Sequence, residues 1–96
     1  MKNKFTISQR NAIVEDHLWC IKAVMKQNRA LIRAAKLDTD DVYQELALRL
    51  IRAVMSYDPA KEDLEKHIFS QLRAELQRTA RSNVISLDAY RGKEAA

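Results

Sequence analysis

Ninety-six residues are enough for one hydrophobic core and not for a second, and a composition with one glycine, one proline and no sustained apolar/polar alternation excludes sheet-rich architectures. The lone Cys20 excludes an internal disulfide and fits a reducing compartment. The net charge of +4 is unevenly spread, with eight basic and two acidic side chains over residues 1–37, two basic and five acidic over 38–59, and seven basic and six acidic over 60–96. Such a basic, acidic, mixed succession argues against a protein that only coats nucleic acid and suits one with separate protein-facing and nucleic-acid-facing surfaces. No apolar run reaches the roughly 20 residues that span a bilayer, and the start, Met-Lys-Asn-Lys-Phe-Thr, lacks the apolar stretch of a signal peptide. The expected location is the cytoplasm, without membrane contact.

Residues 1–7 read as a flexible leader, with Thr6 or Ser8 placed to cap the first helix. From 8 to 26, Ile13, Val14, Leu18, Cys20, Ile21, Val24 and Met25 share one face, with Glu15, Lys22 and Lys26 opposite, so the periodicity predicts an amphipathic helix. Cys20 falls on the apolar arc, where a buried inert thiol is expected. His17 also lies in that arc, and a hydrogen-bonded boundary histidine is expected there rather than a metal ligand. His67 has no Cys, Asp or His partner at zinc-ligand spacing. Trp19 falls on the polar side and needs a cover. The expected one is segment 28–36, whose Leu31, Ile32, Ala34 and Ala35 predict a short second helix packing back. Arg29, Arg33 and Lys36 make that helix basic, which reads first as a solvated face and second as phosphate contact.

Residues 38–59, DTDDVYQELALRLIRAVMSYDP, predict a third helix. Asp38 or Thr39 serves as N-cap, with Asp40 and Asp41 where the positive end of the helix dipole favours carboxylates, and Asp58-Pro59 marks the end because a residue before proline is pushed out of the α region. Val42, Tyr43, Leu46, Ala47, Leu50, Ala53, Val54 and Tyr57 form the core stripe. A second flank of Gln44, Leu48, Ile51 and Met55 continues round to Asp41, Glu45 and Arg52, leaving this helix more apolar surface than a peripheral helix needs. Either it is a central helix covered on both sides by its own chain, or that flank is a docking surface, apolar in the middle and charged at its edge.

A fourth helix is expected from residue 60 or 61 to 81, with Leu64, Ile68, Leu72 and Leu76 recurring every four residues and Phe69 and Ala80 extending the stripe. The opposite arc carries Lys66, His67, Ser70, Arg73, Ala74, Gln77, Arg78 and Arg81, and beyond the first turn contains no carboxylate. A solvated face usually mixes both signs, so a one-sign face interleaved with amide and hydroxyl groups suits phosphates and base edges. The pattern is expected to stop at Ser82-Asn83. Val84, Ile85 and Leu87 then form a short apolar patch that docks back, with disorder from Arg91 on.

Asp41-Val42-Tyr43-Gln44-Glu45, Leu50-Ile51-Arg52-Ala53-Val54 and Tyr57-Asp58-Pro59-Ala60-Lys61, in that order and separation, resemble region two of the bacterial RNA polymerase sigma factors over roughly residues 13–81. The resemblance implies an all-α fold, a compact three- to four-helix bundle. It implies that the helix bearing Gln44 and Glu45 docks on the clamp helices of the largest subunit of core RNA polymerase, through Asp41, Gln44, Glu45, Leu48, Ile51 and Arg52. It also implies that the next helix meets promoter DNA near the start site, through Lys66, His67, Ser70, Arg73, Gln77, Arg78 and Arg81. In that helix the sequence departs from the family. Aligned on Asp58-Pro59, the family's glycine is Glu62, its phenylalanine Leu64 and the aromatic three residues later His67; its paired tryptophans are Ser70 and Gln71, while the arginine after them is kept as Arg73. Stacking on aromatics contributes about 1–3 kcal/mol per base, so unaided strand opening is expected to be weak.

The chain is thus expected to comprise three units: a leader over 1–7, a helical domain over 8–82 and a linker or tail over 83–96, whose Ser86-Leu87-Asp88 resembles the linker after region two. The family's helix-turn-helix region for the upstream element is not in the sequence, which points to a second chain supplying it or to one domain taken alone. No glycine-rich phosphate loop and no nucleophile with a matching base is present, so no enzyme, cofactor or metal is expected, and Asp40, Asp41 and Glu45 read as helix-start and docking charges. Two other functions fit less of the pattern. One is an interaction module, a co-sigma subunit or competitor that keeps the docking flank without reading DNA; the other is a helical DNA-binding protein unrelated to polymerase.

Overall fold

The computed structural model describes the backbone of residues 5–95 and the side-chain surroundings of residues 5–83. Five helical segments succeed one another, α1 (Ile7–Asp16), α2 (Leu18–Gln27), α3 (Arg29–Ala34), α4 (Thr39–Met55) and α5 (Leu64–Ala95), and no strand occurs among the described residues. The first four residues of the expected leader lie outside the described residues. Phe5 already packs on the core and Thr6 is the N-cap, its hydroxyl accepting the Gln9 amide while the Gln9 side chain accepts the Thr6 amide.

The helix expected over 8–26 is interrupted at His17. Its Nδ1–H donates to the Ile13 carbonyl at 2.7 Å, the acceptor a continuing helix would offer the His17 amide, and that amide turns to Val14 instead. Eleven residues later the Asn28 side-chain amide donates to the Val24 carbonyl at 2.8 Å, while its backbone amide is shared between the Val24 and Met25 carbonyls, and α3 begins at Arg29. α3 closes with Lys36 in the left-handed region at φ 55°, where the Lys36 and Leu37 amides bond the Arg33 and Ile32 carbonyls and Leu37 packs on the core.

α4 begins as expected, with the Asp38 carboxylate accepting the Asp40 and Asp41 amides at 2.8 and 3.1 Å. It ends at Met55, before the proline, and residues 56–63 form a loop in which the Asp58 carboxylate accepts the Ala60 amide. The next helix therefore starts at Leu64, later than the expected 60 or 61. α5 also runs on to Ala95, where a stop at Ser82-Asn83 and disorder from Arg91 are expected. No proline comes after Pro59 and the only glycine, Gly92, stands in the last turns. Asn83, expected as a breaker, instead anchors the helix by donating to the Ala35 carbonyl. The expected docking of Val84, Ile85 and Leu87 lies outside the described side chains.

α4 lies at the centre, against α1, α2 and α5. Its Val42, Leu46, Leu50, Ala53 and Val54 meet Cys20, Ile21 and Val24 of α2, Ile32 of α3, and Ile68, Leu72 and Leu76 of α5 in one core. All lie on the stripes that the helical period assigns. Cys20 is fully buried, and burial, with the Glu65 carboxylate adding to it, pushes its thiol up to about 11. Among the described residues no helix is long and apolar enough to cross a membrane.

Candidate docking and nucleic-acid surfaces

Because one face of α4 is consumed by the core, the opposite face points outward. Asp41, Gln44, Glu45, Leu48, Ile51 and Arg52 are all exposed there. Leu48 is 54 %, Ile51 43 % and Met55 50 % exposed, so three large apolar side chains stand in a row open to solvent. Among the described residues, nothing covers this flank of α4 completely. At its C-terminal end, Ile51 and Met55 share a groove with Arg10, Asn11, Val14 and Glu15 of α1. At its N-terminal end, Asp41, Gln44 and Glu45 border a groove shared with Thr79 and Asn83 of α5. The flank is an apolar centre with a charged rim, held on a rigid helix.

The outward arc of α5 is less uniform than its sequence implies. Lys66, Ser70, Arg73, Gln77, Arg78 and Arg81 are exposed. His67 is not among them. Its side chain is 12 % exposed and turned onto α4, with Nε2 3.0 Å from the Ala53 carbonyl oxygen and Nδ1 2.9 Å from Glu62 Oε1. It also leans on Tyr57, rings 5.7 Å apart, so it ties the 56–63 loop to the start of α5 rather than facing solvent. Arg78 is exposed but ion-paired with Glu75, which also accepts from the Thr79 hydroxyl at 3.4 Å. The carboxylate-free arc thus acquires one carboxylate at its edge. At the other end, Lys66, Phe69, Ser70 and Arg73 line a groove together with Glu62, Asp63 and Glu65.

Two arrangements escaped the sequence. Trp19, expected to be covered by 28–36, packs instead across α5, edge-on to Phe69 with ring centroids 5.6 Å apart, and remains 51 % exposed. Arg49, half-buried between α4 and α5, donates to the Gln71 side chain. Trp19 on the polar side of one helix and Phe69 at the stripe edge of another were the available signal, but neither names the other. Among the described residues no group of three or more His, Cys, Asp or Glu side chains could hold a metal ion.

Compared with protein families, residues 17–84 match the one described as Sigma-70 region 2. Comparison with curated proteins and with solved structures finds no match. The matched stretch takes in α2, α3, α4 and the described side-chain face of α5, well over half of the sequence and nearly the span over which its motifs resemble region two. The chain therefore belongs to the sigma-70 region 2 family, and its role is sigma-factor-like, in transcription initiation.

Proposed function

We propose that the chain binds core RNA polymerase through the outer flank of α4 and meets promoter DNA through α5. The observation that carries this is the solvent-exposed row Leu48, Ile51, Met55 on a helix whose other face is buried in the core. Around it, Asp41, Gln44, Glu45 and Arg52 supply the charged rim that fixes register on a partner, and the partner the family implies is the clamp helices of the largest polymerase subunit. On α5, Lys66, Arg73, Gln77 and Arg81 supply cations and an amide toward phosphates and base edges. His67 serves as a tether for the helix start and not as a DNA contact. Gln44→Ala with Glu45→Lys tests docking, because both positions are exposed and off the core. Binding to immobilised core polymerase is expected to be lost while helicity and melting are kept; unchanged co-purification would refute it.

A second function is favoured by particular residues. Arg78 is neutralised by Glu75, His67 is tucked away and the paired tryptophans are Ser70 and Gln71, all of which suit a module that binds polymerase or a partner without reading DNA. Polymerase binding with no DNA contact at any salt concentration would select it.

A further inference from the structure

The outer flank of α4 repeats every seven residues. Asp41, Leu48 and Met55 take one position of that repeat, Gln44 and Ile51 a second, and Glu45 and Arg52 a third, which is the seam of a coiled coil with charges along its edge. Leu48 is 54 % and Ile51 43 % exposed, so the apolar middle of the seam is open to solvent. Glu45 and Arg52 are exposed as well, and no ion pair among the described residues includes either. They stand about 10 Å apart along the same helix face, beyond the three- or four-residue spacing at which side chains on one helix meet.

We propose that this flank is self-complementary and pairs with the same flank of a second copy of the chain, α4 against α4 in antiparallel orientation about a two-fold axis between Leu48 and Ile51. Such pairing sets Leu48 against the second copy's Ile51, and the reverse, and brings each Glu45 beside the second copy's Arg52. Charge decides both the occupant and the direction. Parallel pairing would put Asp41 on Asp41, Glu45 on Glu45 and Arg52 on Arg52, whereas antiparallel pairing turns Glu45 and Arg52 into two equivalent pairs of opposite charge at the rim of the apolar middle. Two single-helix flanks make a small interface, so the dimer is weak and depends on concentration. The pairing itself follows from the flank alone. Its consequence rests on the proposed docking: the dimer covers Gln44, Glu45, Leu48, Ile51 and Arg52, so a chain paired with its copy cannot bind core polymerase, and a chain on polymerase cannot pair.

Sedimentation equilibrium of the full chain over a range of concentrations measures the pairing, after helicity and melting of each variant are checked. Monomer and dimer in equilibrium are expected, with the dimer lost in Leu48→Asp. Glu45→Lys alone and Arg52→Glu alone each set like charges side by side at both symmetric positions, and each is expected to weaken the dimer roughly 5- to 30-fold. Mixed in equal amounts, these two variants are expected to pair with each other, because every substituted position then faces an opposite charge. The chain carrying both substitutions is expected to pair with itself as the original does. A chain that stays monomeric up to about 1 mM, single variants that pair as tightly as the original, or a mixture no tighter than its components would each overturn the self-pairing. So would an open series of larger assemblies, the mark of a head-to-tail contact. None of these outcomes touches the docking on polymerase. Titration of the labelled dimer with core polymerase tests the consequence. Dispersal of the dimer as polymerase binds supports one shared flank, and a dimer carried intact on polymerase would overturn it. A dimer that polymerase neither binds nor disperses would overturn the docking and leave the pairing in place.

Discussion

At the scale of single residues, Cys20 shows how burial becomes a measurable property. The thiol ionises only on release of a proton, and its folded-state value of about 11 lies above the ordinary 9.0. Its contribution to stability is therefore complete below about pH 9 and is lost as pH rises toward about 11, because in that window the unfolded chain gives up the proton and the folded chain does not. Urea melts from about pH 7 to about 11 are expected to show a steeper alkaline decline for the original protein than for Cys20→Ala, in which other alkaline titrations remain. Parallel profiles would mean that the thiol ionises alike in both states. His17 and Asn28 belong to the same scale and mark what a sequence hides. Each turns its side chain onto a carbonyl four residues back, yet both residue types also occur inside continuous helices, so spacing alone joins α1 to α2. Trp19 is hidden for a related reason. A helical wheel says that a side chain leaves the stripe, but which neighbour receives it depends on how α2 crosses α5.

At the scale of the element, α4 has two apolar faces with opposite fates, and its stripe was legible because eight apolar positions repeat at the helical period and six of them are buried in the fold. The outer flank was legible as a surplus, though its exposure was not, since exposure depends on where α1, α2 and α5 happen to lie. Substitution separates the faces energetically. Leu46→Ala and Leu50→Ala remove fully buried side chains and are each expected to cost about 2–5 kcal/mol. Leu48→Ala removes a side chain that is more than half exposed and is expected to cost well under about 1 kcal/mol. Urea melts of the three variants check this, and a loss at Leu48 equal to that at Leu46 would place the flank inside the fold. The length of α5 was hidden at the same scale: Ser82-Asn83 looks like an end because both are weak helix formers, but neither forbids a helix, and Asn83 is held by Ala35.

At the scale of the whole molecule, the acidic segment 38–59 supplies the charged rim of the α4 flank, while on the mixed-charge α5 Lys66, Arg73 and Arg81 are exposed and Arg78 is ion-paired with Glu75. If α5 faces DNA as proposed, that pair limits what a phosphate gains there. Arg73 is exposed and lies over the Phe69 ring, so Arg73→Ala is expected to weaken DNA binding and to reduce the salt slope by about 0.7–0.9, the value of one phosphate contact on single or double strands. Arg78 is already neutralised by Glu75, whose carboxylate is held a second time by Thr79. Arg78→Ala is then expected to change the slope less than Arg73→Ala does. Glu75→Gln frees Arg78 and reverses the sign, with tighter binding and a steeper slope. Labelled promoter fragments, duplex and single-stranded, titrated at several salt concentrations with and without core polymerase, measure all three. Equal slopes for every variant would show that the arc makes no phosphate contact, and if polymerase binding stayed intact the α4 flank alone would then carry the function.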